Sequence, residues 1–235
     1  MIDFHSHFLP GIDDGSDSVE TSLAMLRESR RQGVDLIFAT PHFYADEDDP
    51  ETFLENRTEA YAALRKAMEE DGGDFPEIQL GAEIYFFPGM SVAEELVELS
   101  MGSTPFLLIE PPMIPWRESM LDEIEQTGEN LHRIPVVAHV DRYMRMLRDP
   151  SLFDRLRHRR VLIQVNANYF IHGDSAQEAL RYLRERRIHF VGSDCHNMED
   201  REPNMGQAAE VIRLDSATDY FDELNNRIYA LLRRK

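Results

Sequence analysis

The sequence has a single cysteine, Cys195, among its 235 residues. An internal disulfide is therefore excluded, and the cysteine usage gives no sign of an oxidising compartment. No apolar run reaches the roughly 18 residues that a bilayer-spanning helix needs, and the amino terminus lacks the basic-then-apolar pattern of a signal peptide. We therefore expect a cytoplasmic protein without membrane insertion.

Basic residues are also scarce, since 25 lysines and arginines face 44 aspartates and glutamates, which gives a formal net charge of −19. A surface this acidic repels the phosphates of nucleic acid, so nucleic acid is not an expected partner. Bound divalent cations would reverse the charge locally, however. A cation site can attract a phosphate ester even on an acidic protein.

The hydrophobic fraction of 42% is enough for a large core. Strands are predicted at residues 2–5, 35–40, 78–84, 106–110, 135–139, 161–166 and 189–193. Helices are predicted near residues 19–33, 51–71, 92–99, 119–130, 151–158, 176–187, 204–212 and 217–232. This alternation is typical of parallel βα units, and seven of them favour a barrel over a short open sheet. No linker divides the chain, so we expect residues 1–235 to form one domain.

Histidines and carboxylates recur at the ends of these predicted strands. They are His5, His7, His42, Glu83, Glu110, His139, Asp194 and His196. The carboxyl ends of barrel strands converge on one face, which carries the active site. Imidazole and carboxylate groups bind Zn²⁺, Mn²⁺ and Fe²⁺. The pair His5 and His7 suits this role, because alternate residues of a strand face the same way.

Each of these residues also has an ordinary explanation when taken alone. A single histidine at a strand end is more often structural than a ligand, and Glu110 could belong to a buried ion pair. The turn Asp13-Asp14-Gly15 could bond only to its own backbone. The other histidines fit the structural explanation, namely His132, His158, His172 and His189. Coincidence at six successive segments instead favours a shared metal site.

The strand-end motifs resemble those of the bacterial tyrosine-protein phosphatases of the polymerase-and-histidinol-phosphatase (PHP) superfamily, which act in capsule and exopolysaccharide synthesis. The matching segments are residues 2–15, 39–42, 81–85, 138–143 and 193–197. The resemblance covers roughly residues 1–206. The pair His5 and His7 is common to the whole superfamily, whereas the stretch from Pro10 to Gly15 and the pair Arg142-Tyr143 are more specific to the phosphatase branch. One departure is Asp141, where the family usually has glutamate.

The resemblance implies a distorted seven-stranded (β/α)7 barrel of the PHP type around three divalent metal ions, with manganese favoured over iron or zinc. The implied ligands are His5, His7, Asp14, His42, Glu83, Glu110, His139, Asp194 and His196. Arg142 and Arg201 are implied to bind the phosphate. The implied activity is that of a protein-tyrosine phosphatase, and the implied partner is a tyrosine kinase that controls polysaccharide chain length.

The ligand set also indicates a mechanism. Cations held by these residues would acidify a bound water, so that hydroxide would be available at neutral pH to attack phosphorus in line with the leaving phenolate. Arg142 and Arg201 would add planar, two-point contacts as negative charge develops. The alternative for each arginine is a surface ion pair.

A second phosphatase chemistry is suggested by Cys195 and Arg201, which are spaced as Cys-x₅-Arg. The loop of cysteine-dependent phosphatases aims free backbone N–H groups at the phosphate. Here the loop contains Glu199 and Asp200, which would repel the substrate and would not lower the pKa of the thiol. A catalytic Cys195 is therefore disfavoured.

Three functions remain open from the sequence. The first is the tyrosine phosphatase, the second is a small-molecule phosphatase of the same superfamily that resembles histidinol phosphatase, and the third is a non-catalytic binding module. The third is weakest, because no expected ligand is missing. The first two functions call for different shapes of the surface that surrounds the metal site. A shallow mouth would suit a phosphotyrosine tail, and its candidate lining residues are Tyr44, Phe86, Pro111, Pro112 and Trp116.

Overall fold

The computed structural model describes residues 1–233, apart from the side chain of Asp174. The strands are β1 (Ile2–Ser6), β2 (Leu36–Ala39), β3 (His42–Phe43), β4 (Glu77–Leu80), β5 (Glu83–Tyr85), β6 (Phe106–Glu110), β7 (Ile134–Val137), β8 (Leu162–Asn166) and β9 (Phe190–Gly192). The α-helices are α1 (Val19–Arg31), α2 (Pro50–Asp71), α3 (Glu118–Leu131), α4 (Val140–Met146), α5 (Leu152–Arg157), α6 (Asn168–Ile171), α7 (Gly173–Arg184), α8 (Met205–Arg213) and α9 (Thr218–Leu232).

Every strand pairing among these residues is parallel, as the alternation of strands and helices predicts. One sheet has the order β1-β2-β4, and the other has the order β3-β5-β6-β7-β8-β9. A parallel bridge between Ser6 and Cys195 joins the end of β1 to the segment that follows β9. The first and last strands of the chain therefore lie side by side.

Two of the predicted strands differ from the structure. The predicted strand at 35–40 is β2, and the unpredicted β3 follows it after Pro41, which has no backbone N–H to give to a ladder. The predicted strand at 78–84 divides into β4 and β5 near Gly81, whose carbonyl accepts a hydrogen bond of 2.6 Å from the buried Arg57 side chain. The structure thus has nine strands in two hydrogen-bonded sheets, and the predicted count of seven is not confirmed.

The helix predictions hold with two kinds of exception. The predicted helix at 92–99 is wrong in type, because two 3₁₀ turns, Met90–Val92 and Glu94–Leu99, occupy that region. Helices α4 and α6 were not predicted. They have seven and four residues, which is too short to show a helical periodicity. None of the helices in residues 1–233 is both long enough and apolar enough to cross a bilayer.

Four phenylalanines from β1, β2, β6 and β9 form an apolar cluster between the strands. Phe4 stacks on Phe190 with 3.9 Å between ring centroids, and it also packs against Phe38 and Phe106. Burial of each such ring contributes about 2–3 kcal/mol to stability. The strands that carry these rings also carry predicted ligands at their ends, so this cluster helps to hold the ligand-bearing segments together.

Candidate metal centre

All the predicted ligands come together at the carboxyl ends of the strands. Each one has a ring nitrogen or carboxylate oxygen within 3.7 Å of that of another member. The members are His5, His7, Asp14, His42, Glu83, Glu110, His139, Asp194 and His196. We call this set the ligand cluster. Apart from Asp14, its members are buried or mostly buried.

Glu83 lies at the centre of the ligand cluster and is 1% exposed. Its carboxylate lies 2.9 Å from His139 Nε2 and 3.0 Å from His5 Nε2. The Nε2 atom of His7 and the Nδ1 atom of His42 are 3.2 and 3.3 Å away. Four imidazoles from three parts of the chain therefore meet at one carboxylate.

The end of β1 and the residue that follows it, His7, direct two of these rings to the same carboxylate. The pairing of β1 with β2 is irregular between Asp3 and Ser6, and such bulges commonly re-aim side chains beside active sites. The Nε2 atoms of His5 and His7 lie only 3.0 Å apart. Two donors this close together are suited to bind one cation between them.

Three overlapping groups within the ligand cluster have atoms close enough to hold a cation each. The groups are His5, His7 and Glu83; His42, Glu83 and Glu110; and His7, Asp14, His42 and His196. Within each group the ligand atoms lie within 4.8 Å of one another. Asp194 borders the first group at 3.8 Å from His5 Nε2, and His139 borders the second through Glu110 at 3.4 Å.

The donor atoms fit divalent cations. His42 Nδ1 and His196 Nε2 are buried and have no hydrogen-bond partner within residues 1–233, and leaving such an atom unpaired is costly. With neutral imidazoles, the carboxylates of the cluster would also bring several uncompensated negative charges into a buried space. A cation bound between these groups would satisfy both demands, and mixed imidazole and carboxylate donors suit Mn²⁺, Fe²⁺ and Zn²⁺.

The carboxylates raise the pKa of two histidines of the cluster, His7 and His139. Burial alone would lower the pKa of His7, but hydrogen bonds to Asp13 and Glu83 raise it to about 10. Burial likewise opposes charge on His139, yet its bonds to Glu110 and Glu83 raise the pKa to about 10. Protons thus supply positive charge to the cluster in the absence of cations.

Asp13 supports the cluster and was not among the predicted ligands. Its Oδ2 atom lies 2.7 Å from His7 Nδ1 and accepts a hydrogen bond of 3.1 Å from the backbone N–H of His42. Metal-binding histidines usually donate their second ring N–H to such a carboxylate, which fixes the tautomer and the ring orientation. The sequence signal was the doubled aspartate, of which only Asp14 was assigned a ligand role.

Strand β8 carries two further supporting residues. It is the one predicted strand that ends without a histidine or carboxylate. Gln164 Oε1 accepts a hydrogen bond of 2.5 Å from the backbone N–H of His139 and lies 3.4 Å from His5 Nδ1. Asn166 Nδ2 donates to Asp194 Oδ2 at 2.9 Å. The sequence feature that could have identified these two residues is a pair of amide side chains at alternate positions of a buried strand.

Two members of the cluster have unusual backbone conformations. His139 has φ 30 and Asp194 has φ 55, which is the left-handed region that non-glycine residues rarely adopt. Hydrogen bonds hold both, because Asp194 N–H donates to the His5 carbonyl at 2.8 Å and His139 N–H donates to Gln164. Strain that persists in this way is a common feature of functional sites.

The two predicted phosphate-binding arginines line one cleft of about 660 Å³ beside Asp194. Arg201 Nη2 donates to Asp194 Oδ1 at 2.8 Å, so its guanidinium is tied to the ligand cluster. Arg142 lies in α4 and has no ion pair with a side chain that the structure describes. Asp141 accepts a hydrogen bond from Asn166 N–H at 2.9 Å.

The surroundings of Cys195 do not suit a catalytic thiol. Cys195 is 1% exposed, and burial raises the pKa of its thiol, which disfavours a thiolate nucleophile.

The expected lining of the mouth of the site is wrong in part. Pro111 is buried, and Trp116 is buried against Tyr143 with 4.7 Å between ring centroids. Tyr44, Phe86 and Pro112 are partly exposed and remain candidates for it.

The remaining histidines lie outside the ligand cluster. His189 Nδ1 accepts a hydrogen bond of 3.0 Å from Ile163 N–H, and burial lowers its pKa to about 4. His132 ends α3 in a left-handed conformation, with φ 54. His158 follows α5 at its carboxyl end, and His172 is exposed and lines the cleft. The structural interpretation suits His132 and His189 best.

Two known proteins are similar in sequence to this chain over nearly its whole length. Tyrosine-protein phosphatase YwqE of Bacillus subtilis is 30% identical over 247 residues, which cover 100% of this chain and 92% of the relative. Tyrosine-protein phosphatase CpsB of Streptococcus agalactiae is 28% identical over 237 residues, which cover 95% of this chain and 94% of the relative.

A solved structure has the same fold. It comes from work on YwqE from Bacillus subtilis and CpsB from Streptococcus pneumoniae, described as unique metal-dependent tyrosine phosphatases. Its TM-score is 0.85 at 27% identity, over 100% of this chain and 95% of that chain. The profile of the family "Capsular polysaccharide synthesis, CpsB/CapC" matches residues 1–228, and the chain therefore belongs to the CpsB/CapC family.

Proposed function

We propose that this chain is a cytoplasmic, metal-dependent protein-tyrosine phosphatase that hydrolyses phosphotyrosine on a tyrosine kinase of polysaccharide biosynthesis. The observation that carries the proposal is the ligand cluster around Glu83, which opens beside a cleft with Arg142 and Arg201. The names of the relatives support the same activity. We take residues 1–235 as a single PHP-type metallophosphatase domain.

We assign three divalent cations to the three ligand groups, with manganese favoured over iron or zinc. Asp194 and His139 complete the ligand set. When bound, the cations would stabilise charge on the phosphoryl oxygens and acidify water. Glu83 would serve two of the three sites, one through each carboxylate oxygen, whereas His7 would bind a single cation through Nε2, because its Nδ1 faces Asp13.

The chain's own residues bind and orient the ester. Arg142 and Arg201 would hold the phosphate through planar, two-point contacts, and the ion pair with Asp194 fixes the guanidinium of Arg201 beside the cluster. Asp13 and Gln164 orient the rings of His7 and His5. Because these contacts exist before the ester binds, little reorganisation is needed as charge develops.

We also propose that the fold is the distorted (β/α)7 barrel. On this interpretation β2 with β3, and β4 with β5, are each one interrupted strand. The parallel pairing of all these strands supports it, as does the bridge between Ser6 and Cys195. The interruptions fall where His42 and Glu83 enter the site, so the distortion serves to place ligands.

The support from Asp13 can be tested without an activity measurement. Asp13→Ala removes the carboxylate that orients His7, so we expect the affinity for Mn²⁺ to fall by about 10- to 100-fold while the fold is retained. Calorimetric titration of the metal-free protein measures this. Asp17→Ala is the matched control, because it removes an exposed carboxylate from the same segment. Unchanged affinity in Asp13→Ala would remove the orienting role.

The choice between metal and thiol chemistry has its own test. We expect Cys195→Ala to lose no more than a few-fold of activity, through altered packing next to Asp194 and His196. Prolonged chelation should abolish activity in both proteins, and Mn²⁺ should restore it. A Cys195→Ala protein that is folded and fully metal-loaded but inactive would contradict the proposed chemistry.

The substrate class is tested by leaving-group preference. Phenolate leaves more easily than alkoxide, and the cluster provides no obvious acid dedicated to protonating a serine oxygen. Initial rates on matched peptides should therefore be at least about tenfold higher for phosphotyrosine than for phosphoserine. Equal rates, or faster cleavage of histidinol phosphate, would favour the small-molecule phosphatase instead.

A further inference from the structure

Two more arginines share the cleft with Arg142 and Arg201. Arg145 follows Arg142 by three residues in α4, so the two side chains lie on the same face of the helix. Arg148 comes three residues later, just beyond the helix. Both are exposed, and both line the cleft. The rim of the candidate active site therefore carries a row of positive charge.

These arginines lack an ion pair on the described part of an acidic chain. Thirteen of the 22 arginines in residues 1–233 pair with a carboxylate. Arg142, Arg145 and Arg148 have no carboxylate within 4.0 Å among the described side chains. Asp149, the nearest acidic residue in sequence to Arg148, pairs with Arg155 at 3.2 Å instead.

The acidic groups of the cleft are already engaged elsewhere. Asp194 pairs with Arg201, and Asp141 accepts from the backbone of Asn166. Glu178 accepts a hydrogen bond of 3.0 Å from the Tyr169 hydroxyl. The guanidinium groups along the rim are thus left available to an external anion.

The backbone at Arg148 adds a second observation. Arg148 has φ 53, a left-handed conformation at a helix end where glycine is the usual residue. An arginine there bears strain that glycine would avoid. His132 ends α3 in the same conformation, so the conformation sets only the direction in which the Arg148 side chain leaves the backbone, and that side chain lines the cleft.

The rest of the lining suits a peptide rather than a free ion. Met144, Pro150, Tyr169 and His172 give the cleft apolar and aromatic surface next to the arginines. An acidic peptide would be repelled by a protein of net charge −19. A local positive rim counteracts this repulsion and steers such a peptide to the site.

We propose that Arg145 and Arg148 form a second anion-binding subsite, which recognises a carboxylate or phosphate group on residues that flank the phosphotyrosine. This rests on the proposed function, in which Arg142 and Arg201 hold the phosphotyrosine phosphate itself. The consequence is a preference for phosphotyrosine in acidic or multiply phosphorylated segments. Arg145 and Arg148 set peptide affinity and take no part in the chemical step.

The test compares peptide binding to the Mn²⁺-loaded protein by fluorescence anisotropy. The peptides carry a non-hydrolysable phosphonate analogue of phosphotyrosine flanked by aspartate, by asparagine or by a second phosphonate residue. The variant is Arg145→Gln with Arg148→Gln. The matched control is Arg157→Gln with Arg213→Gln, which removes the same charge from exposed arginines outside the cleft.

We expect the unsubstituted protein and the control to bind the aspartate peptide about fivefold more tightly than the asparagine peptide, as two exposed charge pairs would give. The variant should lose this preference and bind the asparagine peptide normally. The preference should also shrink as salt is added. The doubly modified peptide should show a similar or larger preference, and comparison with the aspartate peptide separates phosphate from carboxylate as the favoured group.

Two results would overturn the proposal. In the first, the unsubstituted protein binds the aspartate and asparagine peptides with equal affinity. In the second, the Arg145→Gln, Arg148→Gln variant binds both peptides more weakly by the same factor. The same peptides with tyrosine in place of the phosphonate residue distinguish failure of this proposal from failure of the proposed function. If the phosphonate gives no gain over tyrosine while the aspartate preference persists, the phosphotyrosine site is wrong and the second subsite stands.

Discussion

The contact between the Glu83 carboxylate and four imidazoles is the interaction on which the rest of the site depends. Glu83 is 1% exposed and lies within 3.3 Å of ring nitrogens of His5, His7, His42 and His139. A buried carboxylate without positive partners is costly. The segments that carry these rings must therefore stay together, and the site must hold positive charge, as protons or as divalent cations.

The surrounding polar groups explain how this geometry is maintained. Asp13 orients His7 from outside the cluster, and Gln164 bonds to the backbone of His139 while it approaches the ring of His5. His139 is held in a conformation that it would otherwise avoid. Sites whose ligands are fixed by such a supporting layer are pre-organised for binding, because the cost of ordering is met on folding.

The sequence predicted the members of the ligand cluster better than the residues that support them, for a physical reason. Histidine and carboxylate at strand ends carry recognisable metal-binding chemistry, whereas the amides of Gln164 and Asn166 occur in any buried strand. The resemblance supplied Asp14, which lies in a turn. Helix α4, with seven residues, is too short for periodicity to reveal, and the left-handed conformation of Asp194 depends on contacts distant in sequence. The ligand types admit several metals, so composition does not fix the ion.

The central claim is that the cluster around Glu83 holds three divalent cations, one in each ligand group. Anomalous diffraction from crystals grown with Mn²⁺ tests it most directly, because it locates each ion independently of activity. The account predicts three anomalous peaks in the ligand cluster, two of them bound by Glu83 and one bound by Asp14 with His196. A single peak, or peaks only outside the cluster, would contradict it.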